Sequence, residues 1–150
     1  VRIHALLSAA ALVGSGVVAG VLFAVALSVV PALREMPADR YVYTHQLLGR
    51  RWDPTMPVIV LSSTVVDIVL AVLGGDGTAL FTTAAVLLLA VSVVSHFCNV
   101  PINRVVKAQD PDALPARWRD PRPLWRRWHL ARTVLAFAAV VVNAAAVVVW

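Results

Sequence analysis

Four residues near the start of the last apolar stretch, Trp125, Trp128, His129 and Arg132, fall at spacings that bring them to one face of a helix. A histidine can move a proton, and an arginine three residues on can hold a developing oxyanion. Two indoles on the same face are suited to wall a flat aromatic ligand, although each alone also suits a membrane-interface anchor. A second group, His96, Asn99 and Asn103, follows the same rule around Pro101 and forms a polar stripe on another helix. Pro101 predicts a kink there, which would turn the stripe toward the interior. For the two asparagines, capping of a frayed helix end is an equal alternative. His45, His96 and His129 together have the donor chemistry for copper or iron, without any local ligand motif, so a metal or no cofactor at all are both open.

The elements that must position these groups are apolar. The chain has 150 residues, 60% of them hydrophobic and only 14% charged. A water-soluble domain of this size cannot bury so much apolar surface. Four runs, about 3–30, 56–73, 79–98 and 130–150, approach the roughly 20 residues needed to cross a bilayer, and none alternates as a barrel strand would. The expected architecture is all-α, a single integral membrane four-helix bundle over residues 1–150 with two long loops, 31–55 and 99–128, on one side. Of the 13 basic residues, all but Arg2 belong to that side, which predicts cytoplasmic loops, both termini outside and the plasma membrane as the site. A cleaved signal peptide over residues 1–25 is disfavoured by the length of the run.

Pro31 is expected to end the first span, and the segment around Tyr41, Leu48 and Trp52 to lie as a separate interfacial helix. Gly16 and Gly20 form a GxxxG match, and with Gly14 give the first span a small-residue face for close packing. Asp67 is the one carboxylate inside a span. Ser63, Thr64, Ser92 and Asn143 are its candidate partners in a structural hydrogen-bond knot. The halves are not similar enough to read as a repeat. Cys98, the single cysteine, excludes an internal disulfide. No phosphate-binding glycine loop, zinc-protease motif or nucleic-acid module is present, so the basic loops fit topology and anionic lipid and no nucleic-acid partner is expected.

A glycine-rich first helix leading to Pro31-Ala32-Leu33, then Asn99-Val100-Pro101-Ile102-Asn103, then Trp125-Arg126-Arg127-Trp128-His129-Leu130-Ala131-Arg132-Thr133, resembles the anthrone oxygenase-like family of small four-helix membrane proteins. The resemblance covers nearly the whole chain in order. It implies oxidation of the methylene of an anthrone or related phenolic polyketide by molecular oxygen, in secondary metabolism. For that reaction His129 or His96 would remove the proton, Arg132 and Asn103 would hold the oxyanion, Asn99, Trp125 and Trp128 would contact the substrate, and His45 would close the site from the first loop. The alternative is a non-catalytic accessory subunit or small-molecule binder. Clustering of the polar groups at one end favours the enzyme, because packing roles would scatter them. Four short helices leave little interior, so a homo-oligomer with a shared site is also open.

Overall fold

The structure, a computed structural model, describes residues 2–149. Four helices long and apolar enough to cross a membrane make up the chain: α1 (Arg2–Glu35), α2 (Ala38–Leu73), α3 (Thr78–Lys107) and α4 (Arg122–Val149). Among the described residues there is no strand, and the architecture is the expected all-helical bundle. Each helix turns only a minority of its most apolar window inward, 28% in every case. The outward faces carry many large apolar residues, such as Leu6, Val72, Phe97 and Val148. That inside-out distribution is what lipid as solvent permits, since burying apolar groups against other apolar groups gains little there. Trp150, the expected last residue of the fourth span, lies outside the described residues.

Several boundaries differ from the expected ones. Pro31 does not end α1, which runs on to Glu35. The helix instead widens into a π turn over Val25–Val29, where the Val30 N–H reaches the Val25 carbonyl. A proline removes one donor and crowds the carbonyl four residues back, and a π turn supplies the extra space. The 31–55 segment is not a loop. Only Met36 and Pro37 separate α1 from α2, and Pro54 and Pro57 lie inside a continuous α2. The segment with Tyr41, Leu48 and Trp52 is thus the first half of a spanning helix, not a separate interfacial one. The third span continues past Pro101 to Lys107, through a second π turn at Ser95–Asn99, so the first part of the expected 99–128 loop is helical. α4 starts at Arg122 rather than 130, leaving 108–121 as the long connection.

Close packing of α1 comes from Gly14, where an added Cβ would run into the Ser63 hydroxyl of α2. Gly16 and Gly20 face open space within the chain, so the GxxxG match is not an internal packing seam. One apolar core joins Val18 and Leu22 of α1 to Val60, Leu88, Val91, Ala136 and Ala139. A second, at the turn end, joins Ala11, Leu70, Phe81 and Ala146. Between them the fully buried Asp67 accepts from Asn143 Nδ2 at 3.3 Å, and the same amide nitrogen reaches Ser15 Oγ at 3.2 Å. Of the four expected partners, Asn143 is the one that meets Asp67. Ser63 and Thr64 donate to the carbonyls of Ile59 and Val60 on their own helix.

The interior registers of the two hairpins match. Val60, Ser63, Asp67 and Leu70 of α2 are buried at the same spacing as Ala136, Ala139, Asn143 and Ala146 of α4. Ala11, Ser15 and Val18 of α1 match Phe81, Ala85 and Leu88 of α3. Both π turns also run directly into a Val-Pro pair. The similarity of the halves, too faint to read in the residues alone, is a property of the packing.

Candidate active site at the basic end

At the basic end α4 meets α1 and α3. His129 is fully buried, and its Nε2 lies 2.9 Å from the Leu22 carbonyl of α1. A carbonyl only accepts, so Nε2 carries the hydrogen and Nδ1 keeps the lone pair. Arg132, half-buried one turn further along α4, spends two donors on that lone pair, Nη2 at 3.0 Å and Nε at 3.3 Å. Its Nη1 donates to Ser95 Oγ at 3.1 Å. A guanidinium has five N–H donors, so two remain unspent. No carboxylate pairs directly with it: the two ion pairs among the described residues are Lys107 with Asp53 and Arg122 with Asp120, and Asp53 acts on Arg132 only through space.

The Trp125 indole stacks on His129, 5.0 Å between centroids and 8° between planes. Its Nε1–H donates to Asn103 Oδ1 at 2.8 Å, while its backbone carbonyl accepts from Asn99 Nδ2 at 3.3 Å. Asn99 Oδ1 is buried with no hydrogen-bond partner. His45, buried on α2, meets the Trp125 ring edge-on at 5.9 Å and also interacts with the Asn103 side chain. Ser95, Asn99, Asn103, Trp125, His129, Arg132 and His45 therefore form one contiguous polar and aromatic network joining α2, α3 and α4, tied to α1 through the Leu22 carbonyl.

Two expected members are elsewhere. His96 is exposed on the outside of α3, its ring against Phe97. The π turn is the reason. It inserts a residue between His96 and Asn103, so spacings that share a face in a regular helix no longer do, and Ser95 takes the inward position. Trp128 is also exposed, at 37%, and does not wall the site. With His96 outside, the three-histidine ligand set is not assembled. Among the described residues no group of three His, Cys, Asp or Glu is placed to hold a metal ion.

Residue typing alone missed three participants. Ser95 was legible only through the proline-induced π turn. The Leu22 carbonyl belongs to the backbone and leaves no side-chain signal. Arg122, read only as a topology charge, donates from Nη1 to the carbonyls of Leu33 at 2.9 Å and Met36 at 2.6 Å. It also lies 4.9 Å over the Tyr41 ring. It thereby ties the last carbonyls of α1, left without intrahelical donors, to the start of α4 one turn before Trp125.

No curated protein and no solved structure matches the chain. The family model described as anthrone oxygenase matches residues 45–142, a stretch that begins at His45 and takes in Ser95, Asn99, Asn103, Trp125, His129 and Arg132. With more than half of its length matched, four apolar helices and an oxygenase-like role implied by that match, the chain belongs to the anthrone oxygenase family.

Proposed function

We propose that this membrane protein oxidises the acidic methylene of a flat phenolic ketone of the anthrone class with molecular oxygen. The observation that carries the reading is Arg132: a guanidinium inside a spanning helix, with no carboxylate in direct contact and with two unspent donors, beside an imidazole of fixed tautomer. Cations in membrane helices are costly and mark functional sites, and the missing countercharge is supplied here by the substrate's own oxygen.

In this mechanism Arg132 shifts its donors from His129 Nδ1 to the substrate's ketone oxygen. The shift both stabilises the enolate and unmasks the Nδ1 lone pair. His129 then takes a methylene proton, and the carbon's electron pair delocalises onto the oxygen held by Arg132. The electron-rich carbon adds molecular oxygen, the proton returns from His129 to give the hydroperoxide, and loss of water leaves a carbonyl. One substrate and one O2 thus yield one quinone and one water. Leu22 and Trp125 hold the His129 ring in place, and Asn99 Oδ1 is an acceptor for a substrate hydroxyl. The three histidines do not form a ligand set, so no step is routed through a metal.

The test is oxygen uptake by the purified chain in lipid nanodiscs with 1,8-dihydroxyanthrone, with the product identified by mass spectrometry. Stoichiometric quinone formation that is lost in Arg132→Ala supports the reading. Uptake equal in wild type and Arg132→Ala refutes it. A non-catalytic binder would bind the anthrone without consuming oxygen.

A further inference from the structure

The network packs directly on itself, so a substrate must reach it through some opening. A groove of about 380 Å³ lies on the lateral surface between α1 and α4. Its walls are Ala26, Val30 and Pro31 on one side and Leu130 on the other, with Arg34 and Arg126 as its cationic lining and Glu35 beside them. The volume falls in the range of roughly 300–1,000 Å³ typical of small-molecule sites.

Its position ties it to the chemistry. Leu130 directly follows His129 in α4, and Ala26 stands one turn after Leu22 in α1. The inter-helix bond from His129 to the Leu22 carbonyl therefore lies next to the groove's apolar residues. The α1 wall is the π turn Val25–Val29 with Pro31, a stretch in which the regular backbone ladder is interrupted. A wall with fewer backbone bonds yields at lower cost than a regular helix.

We infer that this α1–α4 groove is a lateral portal through which a flat phenolic aromatic enters the Arg132 site from the bilayer, its acidic oxygens held by Arg34 and Arg126. Charge and shape support that occupant: an apolar slot beside two arginines fits a planar body with an ionisable hydroxyl. The assignment rests on the oxygenase reading of Arg132 for its substrate class, and the test separates the two.

Nanodiscs of phosphatidylcholine carrying wild type, Ala26→Leu, Leu130→Phe or Arg126→Gln are assayed in two ways. One is oxygen uptake on 1,8-dihydroxyanthrone. The other is binding of 1,8-dihydroxyanthraquinone, followed by quenching of tryptophan fluorescence. Filling the groove with Ala26→Leu or Leu130→Phe is expected to raise KM about fivefold or more, with kcat changed less than about twofold. The quinone Kd is expected to rise in parallel. Arg126→Gln, a surface change that leaves packing intact, should raise Kd about threefold. Phe97→Leu, on the outer face of α3, should alter neither. Unchanged KM and Kd in the groove variants overturn the portal while leaving the oxygenase intact. Saturable quenching that the filled groove abolishes, without oxygen uptake in wild type, leaves the portal standing and sinks the oxygenase. If phosphatidylglycerol discs weaken quinone binding in wild type and Arg34→Gln or Arg126→Gln removes that lipid effect without weakening binding in phosphatidylcholine, the groove is a lipid-headgroup site and the portal is overturned.

Discussion

The two odd-numbered helices are built alike and used differently. α1 and α3 each widen into a π turn, pass through a Val-Pro pair and end with their last carbonyls held by a side chain from the other hairpin. Arg122 of α4 holds the end of α1, and Gln46 of α2 holds the end of α3, donating to the Val106 and Lys107 carbonyls at 3.4 Å and to Gln109 O just beyond them at 2.8 Å. Yet α1 offers the site only a backbone oxygen, from Leu22 three residues before its π turn, whereas the α3 turn delivers Ser95 and Asn99. The device that bends the helix is common to both halves, and the side chains placed on it are not. A kink alone makes no site. It becomes one where a polar residue takes the inward position that the extra residue of the turn creates.

The sharpest way to break this comparison is to remove the group that only one half possesses. Arg132→Ala should lower kcat for anthrone oxidation about a hundredfold or more, since loss of one oxyanion donor typically has that effect. Arg132→Lys should recover little, because an ammonium cannot span Ser95 and the substrate oxygen as the planar fork does. Steady-state oxygen uptake measures both.

Next come the two prolines. Pro101→Ala lets α3 close as a regular helix, which rotates Ser95 away from Arg132 and returns His96 toward the interior. We expect kcat to fall about tenfold, the loss typical of a displaced positioning group. Pro31→Ala, the equivalent change in α1, leaves every side chain of the network in place and should reduce kcat less than about threefold. Equal losses in the two variants would mean that the π turns serve packing alone.

The same contrast explains what could be read from residues and what could not. Four spans were legible because lipid admits only long apolar runs with internally satisfied backbones. The first half of α2 was not, because Arg50, Arg51, Pro54 and Pro57 imitate a loop, and neighbouring helices rather than local sequence keep it helical. His129, Arg132 and Trp125 were legible because α4 is regular and their spacing keeps its meaning. His96 was misplaced because helical spacing was carried across a π turn. Pro101 predicted a bend, but a bend does not announce that the register shifts by one residue.

Smaller effects sharpen the comparison of the helix ends. Arg122→Gln removes charged hydrogen bonds to Leu33 and Met36 and should lower stability by about 2 kcal/mol. Gln46→Ala removes neutral ones and should lower it by about 1 kcal/mol. Thermal unfolding of the detergent-solubilised protein resolves the difference. Because Arg122 stands one turn before Trp125, its loss should also raise KM, whereas Gln46→Ala should not.

The smallest expected effect is the share of the pH dependence that Asp120 contributes at the α1 end. Burial alone would raise the pKa of Asp120, but hydrogen bonds from the Arg122 side chain and backbone, with the charge of that guanidinium, hold it below the usual value. A carboxylate with a depressed pKa in the folded state binds its proton less readily than in the unfolded chain. It therefore contributes stability above the unfolded value of about 3.9, and that contribution is lost as pH falls through the folded one. Asp120 is 41% exposed, so solvent screens the pair and the contribution is modest. Unfolding followed between about pH 6 and pH 3 should show slightly less acid-side loss in Asp120→Asn than in wild type. The Gln46 clamp contains no titrating group, so Gln46→Ala should shift the whole curve without changing its shape. If Asp120→Asn leaves the acid limb unaltered, Arg122 grips the α1 carbonyls without help from its carboxylate, and the two ends are held by the same kind of bond.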